Sequence, residues 1–98
     1  MPRRMSDPRR NKIRFRASHR GFREADLILG AFAELHVEGF SDAELDTFEA
    51  LIDQPDHDLY AWIVGQAEPP ADLAGDMLER LQAFRHTLNA VRGDDRGA

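Results

Sequence analysis

The sequence predicts an all-α protein, a compact five-helix bundle with short loops. Apolar residues recur at spacings of three and four along most of the chain, which is the period of helices packed on one side. No run combines enrichment in β-branched residues with the alternation of a strand. The 98 residues, 42% apolar and 32% charged, suffice for one soluble domain. We expect that domain at residues 7–92, between a disordered N-terminus, 1–6, and a flexible tail, 93–98.

The first helix is predicted from a capping signal that precedes a basic segment. Ser6 or Asp7 can accept hydrogen bonds from the first helical amides, and Pro8 then occupies a favoured first position. Gly21 supplies the left-handed residue that would close this helix. The thinly apolar face of the helix contains Ile13 and Ala17.

The second helix is the most apolar segment of the chain. It is expected to begin near residues 22–24 and to end near Val37, with Gly39 after it. A helix that is apolar almost all round is expected in the centre of a bundle. Gly30 lies inside it and predicts a close helix crossing. Its apolar residues are Leu27, Ile28, Leu29, Ala31, Phe32, Ala33 and Leu35.

Two shorter helices follow. Ser41 and Glu44 have the spacing of a capping box, and an apolar stripe at helical spacing comes after them. Pro55 ends this third helix, and Asp56 is expected to cap a fourth helix that stops at Gly65. The stripe of the third helix contains Leu45, Phe48, Leu51 and Ile52, and the fourth contains Leu59, Trp62 and Ile63.

The last helix is predicted to run from about Ala71 to Arg92, after a stiff proline-containing loop at residues 68–70. Its apolar residues alternate at spacings of three and four, which is typical of a narrow packing seam. That seam contains Ala74, Met77, Leu81, Phe84, Leu88 and Val91.

The charge of the chain reverses sign at residues 20–24. Residues 1–23 contain nine of the thirteen Arg and Lys residues and one acid, so their net charge is +8. Residues 24–98 contain seventeen acids and four Arg residues, which gives −13. Arg16 and Arg20 precede Gly21 and Arg23 follows it, and arginine forks suit carboxylates and phosphates. The end of a helix explains Gly21 but not these arginines, so the segment around residues 20–24 is a candidate contact surface.

Catalysis and metal binding have no support in the sequence. The chain lacks cysteine, which excludes disulfides and thiolate chemistry and fits a cytoplasmic location. The four histidines are scattered, and no phosphate loop or Ser/His/Asp triad can be assembled. The acidic corner of Asp53, Asp56 and Asp58 lacks the Gly and the closing Glu of a calcium loop. We expect no enzyme activity, no metal and no membrane insertion, since the longest apolar run, 27–33, is short.

Residues 19–30, HRGFREADLILG, resemble the succinate dehydrogenase assembly factor family, the SdhE/YgfY flavinylation factors. A second match is the acid-rich helix at 45–52 followed by residues 56–63, DHDLYAWI. Order and spacing agree over roughly residues 10–70, so two separated motifs and the loops between them match. One departure is Ala25, where a larger apolar residue is common in the family.

The resemblance implies an assembly factor that promotes covalent attachment of FAD to the flavoprotein subunit of succinate dehydrogenase, and often of fumarate reductase. The reaction joins a flavin methyl to a partner histidine, so neither a catalytic residue nor a tightly bound cofactor is expected here. The Arg-Gly-x-x-Glu motif of the family, which meets the flavoprotein, falls on Arg20, Gly21 and Glu24. The expected partner-binding set also contains Arg16, Arg23 and Asp26. We expect a monomer in a transient complex.

The basic N-terminal arm leaves another function open. An antitoxin-like or nucleic-acid-binding module would use this arm, and some members of the family that the chain resembles are described as antitoxin-like. Its affinity would fall steeply with salt. The acidic body opposes a polyanion lying across it, so we expect no nucleic-acid partner. A bundle that binds another client protein is a third alternative. The cations that a polyanion would contact are Arg9, Arg10, Lys12 and Arg14.

Overall fold

Five α-helices and one 3₁₀ turn make up the protein in the computed structural model, which describes residues 7–92. No strand occurs within these residues, so the all-α prediction is confirmed. The predicted limits of the domain concern residues 1–6 and 93–98, which lie outside the described part of the chain, and they stay predictions. The elements are α1 (Pro8–Ser18), α2 (Arg23–His36), the 3₁₀ turn (Val37–Gly39), α3 (Asp42–Ile52), α4 (Asp56–Val64) and α5 (Asp76–Arg92).

Local capping signals account for three of the helix ends. The Asp7 carboxylate accepts from the amides of the second and third residues of α1 at 3.1 and 3.3 Å, and Pro8 is the first residue. Both bonds of the predicted capping box exist: the Glu44 amide donates to Ser41 Oγ at 3.1 Å, and the Ser41 amide donates to Glu44 Oε1 at 2.9 Å. Gly65 ends α4 at a φ of +83°. These predictions are confirmed.

The predicted start of α5 is wrong. The amides of Leu73 and Ala74 both bond to the Pro70 carbonyl at 3.0 Å, which makes an isolated turn after the proline pair. The Gly75 carbonyl accepts the first bond of the helix, so α5 begins at Asp76. Ala74 is exposed and lies outside the packing seam.

Two further expectations about helices are corrected. Asp56 does not cap α4 but is its first residue, because Pro55 occupies the capping position. Its carboxylate instead binds a side chain from another element, as described below. Helix α2 is not buried all round, since Leu27 and Leu35 are 46% and 68% exposed. Their exposure marks a face of α2 that no described residue covers.

Helix α2 lies at the centre of the bundle and packs against α1, α4 and α5. Phe32, which is 1% exposed, contacts the rings of Phe40, Phe48 and Phe84 at centroid distances of 6.2, 5.8 and 5.4 Å. The predicted stripes of α3 and α4 are fully buried, together with Leu78 of α5, which lies beside the predicted seam. The aromatic cluster therefore joins α2, α3 and α5.

The close crossing predicted at Gly30 is confirmed. A methyl group at this position would lie 2.9 Å from the Cβ atom of Ser18. Carbon atoms do not approach so closely without displacement, so α1 and α2 pack at this distance only because residue 30 is glycine.

The cationic helix α1 lies against the acidic helix α3. Arg9 binds Asp46 at 2.6 Å and Glu49 at 2.7 Å. Arg16 binds Asp53, and its second nitrogen lies 3.9 Å from Glu49. The positive and negative segments of the sequence thus neutralise each other within the bundle.

Candidate partner-binding surface

Residues 19–22, between α1 and α2, form a segment that we call the connector. Gly21 within it has a φ of +89°, in the left-handed region that residues with a Cβ atom avoid. A methyl group at this position would meet no atom within 4 Å. Backbone conformation therefore requires this glycine, whereas crowding within the chain does not. Because the residue is exposed, another chain has room to approach its main-chain atoms.

The Arg20 side chain anchors the connector inside the protein, where it is only 8% exposed. Its guanidinium donates to the Ile52 carbonyl at 2.6 Å and to the Gln54 carbonyl at 2.7 Å. Its Nε atom donates to the Asp56 carboxylate at 2.6 Å. These acceptors form the corner between α3 and α4, so Arg20 fixes the connector to that corner. Direct contact between Arg20 and a partner stays a prediction.

Two further contacts hold the connector. The backbone amide of Arg20 donates to the Asp26 carboxylate at 2.8 Å, which ties the connector to the first turn of α2. The ring of Phe22 lies 5.1 Å from the ring of His57 and 5.0 Å from that of Tyr60, both on α4. Asp26 and Phe22 therefore orient the start of α2 relative to α4.

The structure divides the six predicted contact residues into two groups. Arg16, Arg20 and Asp26 bind other parts of the described chain, so their charged groups already have internal partners. The exposed residues are Gly21, Arg23 and Glu24, which we call the exposed corner. Among residues 7–92, neither Arg23 nor Glu24 forms an ion pair or a side-chain hydrogen bond. The exposed corner offers an accessible backbone, a cation and a carboxylate on a rigid support.

An open pocket of about 100 Å³ lies beside Glu24, between α2, α4 and α5; we call it the Glu24 pocket. Helix α5 contributes an unpredicted cation, Arg85, which has no ion pair among the described residues. The sequence contained a weak signal for it, because Arg85 and Asn89 flank the seam residue Leu88 on the helix. The lining residues are Glu24, Leu27, Ile28, Tyr60, Arg85, Leu88 and Asn89.

Most of the described cations of the basic arm are paired with acids of the same chain. Arg9 and Arg14 bind acids, and the pKa of Arg9 is raised mainly by its hydrogen bonds to Asp46 and then Glu49. Arg10 binds Asp7, and this hydrogen bond holds the pKa of the Asp7 carboxyl below its usual value. Cations already paired in this way release fewer counterions from a polyanion, which weakens the physical basis of nucleic-acid binding.

The described residues contain no group of three acidic, histidine or cysteine side chains arranged to hold a metal ion. None of the described helices combines the length and the apolar character that crossing a membrane requires.

The comparisons with known proteins agree on one family. A family model described as flavinator of succinate dehydrogenase matches residues 11–85, which include α2, α3, α4 and the connector. The match covers more than half of the chain. No solved structure gives a significant match.

Several curated proteins are similar to this chain over most of its length. The FAD assembly factor SdhE of Acetobacter pasteurianus is 36% identical over 73 residues, which cover 74% of this chain and 67% of that protein. Succinate dehydrogenase assembly factor 2, mitochondrial, of Dictyostelium discoideum is 34% identical over 73 residues, 74% of this chain and 52% of that protein. The protein of the same name in Mycosarcoma maydis is 37% identical, covering 91% of this chain and 40% of its own. The chain thus spans about half the length of these relatives.

Proposed function

Since the chain belongs to the family described as flavinator of succinate dehydrogenase, we propose that it binds the flavoprotein subunit of succinate dehydrogenase and promotes covalent attachment of FAD. The name of the Acetobacter relative, FAD assembly factor, supports this function. The structural observation that supports it most is the exposed corner, where Arg23 and Glu24, which have no ion pair among the described residues, follow Gly21 beside the anchored connector. Unpaired charges of opposite sign, held rigidly, suit recognition of a patterned protein surface.

The proposed mechanism assigns positioning to this protein and chemistry to its partner. Arg20, Asp26 and Phe22 hold the connector, so the exposed corner meets the flavoprotein with little loss of conformational freedom. Binding in this orientation would order the FAD site of the partner and bring the flavin near the histidine that it joins. Positioning of reacting groups lowers a barrier by several kcal/mol without a catalytic residue on the assembly factor. We therefore propose a factor that is not itself an enzyme.

The remaining features of the proposal concern cofactor, clients and compartment. A cavity of about 150 Å³ holds one benzene ring, so the Glu24 pocket, at about 100 Å³, is small for a three-ring flavin. We propose that FAD is held by the partner and is not bound tightly here. We further propose a monomer in a transient complex, fumarate reductase as a second client, and a cytoplasmic location, with which the absence of cysteine is consistent.

The proposal is tested by co-expressing the chain with the flavoprotein subunit and measuring in-gel flavin fluorescence. Glu24→Ala should lower covalent flavin several-fold and leave the unfolding midpoint unchanged, because Glu24 has no ion pair among the described residues. The matched control is Glu34→Ala, which removes an exposed acid from the same helix away from the connector and should leave flavin unchanged. Equal covalent flavin in wild type and Glu24→Ala would remove the role assigned to the exposed corner.

A further inference from the structure

We propose that the Glu24 pocket receives one aliphatic side chain of the flavoprotein partner, and that an acidic residue next to that side chain pairs with Arg85. This inference rests on the proposed function and adds a second contact to the exposed corner. It assigns a binding role to α5, through Arg85, Leu88 and Asn89. None of these residues belongs to the Arg-Gly-x-x-Glu motif.

The size of the pocket selects its occupant. Its volume of about 100 Å³ is two-thirds of the cavity of about 150 Å³ that holds benzene. A branched aliphatic side chain of the size of Val or Leu therefore matches this volume better than an aromatic ring does. Drug-sized ligands occupy about 300–1,000 Å³, so the pocket is small for an organic cofactor.

The lining is suited to an apolar side chain. Ile28, which is 6% exposed, lies in the lining beside Leu27, which is 46% exposed. Leu88 of α5 and Tyr60 of α4 are both half-buried and also line the pocket. An exposed leucine on its own needs no explanation, but one that shares a concave site with three other carbon-rich side chains gains from being covered. Burial by one partner side chain would remove this apolar surface from water.

The charges of the pocket orient the occupant. Glu24 and Arg85 both line it, and neither forms an ion pair among the described residues, in contrast to Arg9 and Arg16 on α1. A partner segment that carries an acid and a base on the two sides of an aliphatic residue satisfies both. Such complementarity selects one orientation of the segment and excludes segments with the opposite charge order.

The pocket and the exposed corner are continuous, because Glu24 belongs to both. One partner surface can therefore cover Gly21 and Arg23 on one side of Glu24 and the Glu24 pocket on the other side. Standard interfaces bury about 800 Å² on each partner, which is more than the three residues of the exposed corner can supply. The pocket supplies the anchor for a side chain near the centre of such a contact.

A single introduced thiol tests whether the pocket is covered. The natural chain has no cysteine, so Asn89→Cys places one reactive group in the pocket. We expect the purified flavoprotein subunit to slow maleimide modification of this thiol several-fold, measured by intact mass. The matched control is Thr47→Cys on α3, which supplies no lining residue and should react equally fast with and without partner. Unchanged reactivity of the pocket thiol in a formed complex would overturn the proposal.

Charge variants test the orientation. Arg85→Glu should weaken binding to the flavoprotein by at least about tenfold in a titration, because an attraction becomes a repulsion. Lys12→Ala, which removes an exposed cation of α1, should bind as wild type does. Equal affinity of Arg85→Glu and wild type would overturn the pairing. Protection of the pocket thiol on concentrating the chain alone would assign the pocket to a second copy and also overturn it.

The outcomes separate this inference from the function on which it rests. If the wild-type chain fails to bind the flavoprotein, the proposed function fails first, and the pocket loses its occupant. If wild type binds and raises covalent flavin while the pocket variants do the same, the proposed function survives and only the pocket assignment fails.

Discussion

Replacement of Arg20 tests whether this residue of the motif acts inside the protein. Arg20→Ala removes three charge-assisted hydrogen bonds of 2.6–2.7 Å from a side chain that is only 8% exposed. The carbonyls of Ile52 and Gln54 lose their donor, and the Asp56 carboxylate loses its cation. Each change removes support from the corner between α3 and α4.

The expected cost follows from this geometry. Hydrogen bonds to charged groups contribute about 1.5–3 kcal/mol each, and breaking a buried ion pair costs about 3–5 kcal/mol. Asp56 keeps 29% exposure and can regain water, so we take the lower end, about 3 kcal/mol. A domain of this kind is stable by about 5–15 kcal/mol, so Arg20→Ala should weaken the fold strongly. Arg20→Lys should recover less than half, because an ammonium cannot meet three acceptors as the planar fork does.

Urea unfolding measures this cost. The single tryptophan, Trp62, lies on α4 and is 7% exposed, so its fluorescence reports the adjoining corner, with far-UV circular dichroism as a second signal. Arg23→Ala is the matched control, since the exposed Arg23 has no ion pair in the described structure; its stability should change by less than about 0.5 kcal/mol. If Arg20→Ala and Arg23→Ala unfold at the same urea concentration, Arg20 does not anchor the connector and the reasoning fails.

Two further predictions concern stability away from the connector. Gly30→Ala should lower the free energy of unfolding by about 1–3 kcal/mol through the Ser18 contact, although alanine favours helices by about 1 kcal/mol. Gly39→Ala, where a methyl group has open space, should be nearly neutral. Thermal melts that rank the two variants equally would contradict the packing argument. Glu44 has a pKa below its ordinary value of 4.5, chiefly because it accepts from the Ser41 amide, so its stabilising effect exists above pH 4.5 and is lost as pH falls through the lowered pKa. Glu44→Gln should therefore differ from wild type most at neutral pH in urea titrations, and a difference that grows in acid would refute this assignment.

The parts of the fold that sequence predicts are those with local signals. The Ser41 capping box and the apolar stripe of α3 lie within a dozen residues, and both exist as predicted. The predicted start of α5 was wrong because two local signals compete. The hydrogen bonds to the Pro70 carbonyl close an isolated turn, and the helix begins only after that turn. Helix periodicity alone does not resolve such competition.

The parts of the site that sequence could not predict depend on long-range packing. The acceptors of Arg20 lie 32–36 residues further along the chain, so its internal role is invisible in the motif. Arg85 reaches the surroundings of Glu24 only because α5 packs beside α2. The charge reversal is visible in the sequence, which predicts that these charges contact a partner. In the structure, most of the ion pairs that they form join α1 to α3 and its C-terminal end.

The anchoring of Arg20 also sets an order of events during synthesis. The connector leaves the ribosome early, but it has no fixed orientation until the segment that ends at Asp56 has been made and folded. Tyr60, which the Phe22 ring contacts, comes later still. A nascent or truncated chain that ends before Asp56 therefore contains the whole motif without the contacts that orient it. Display of the motif thereby reports that α3 and α4 are in place, and a client that binds it would engage only copies in which these helices have folded.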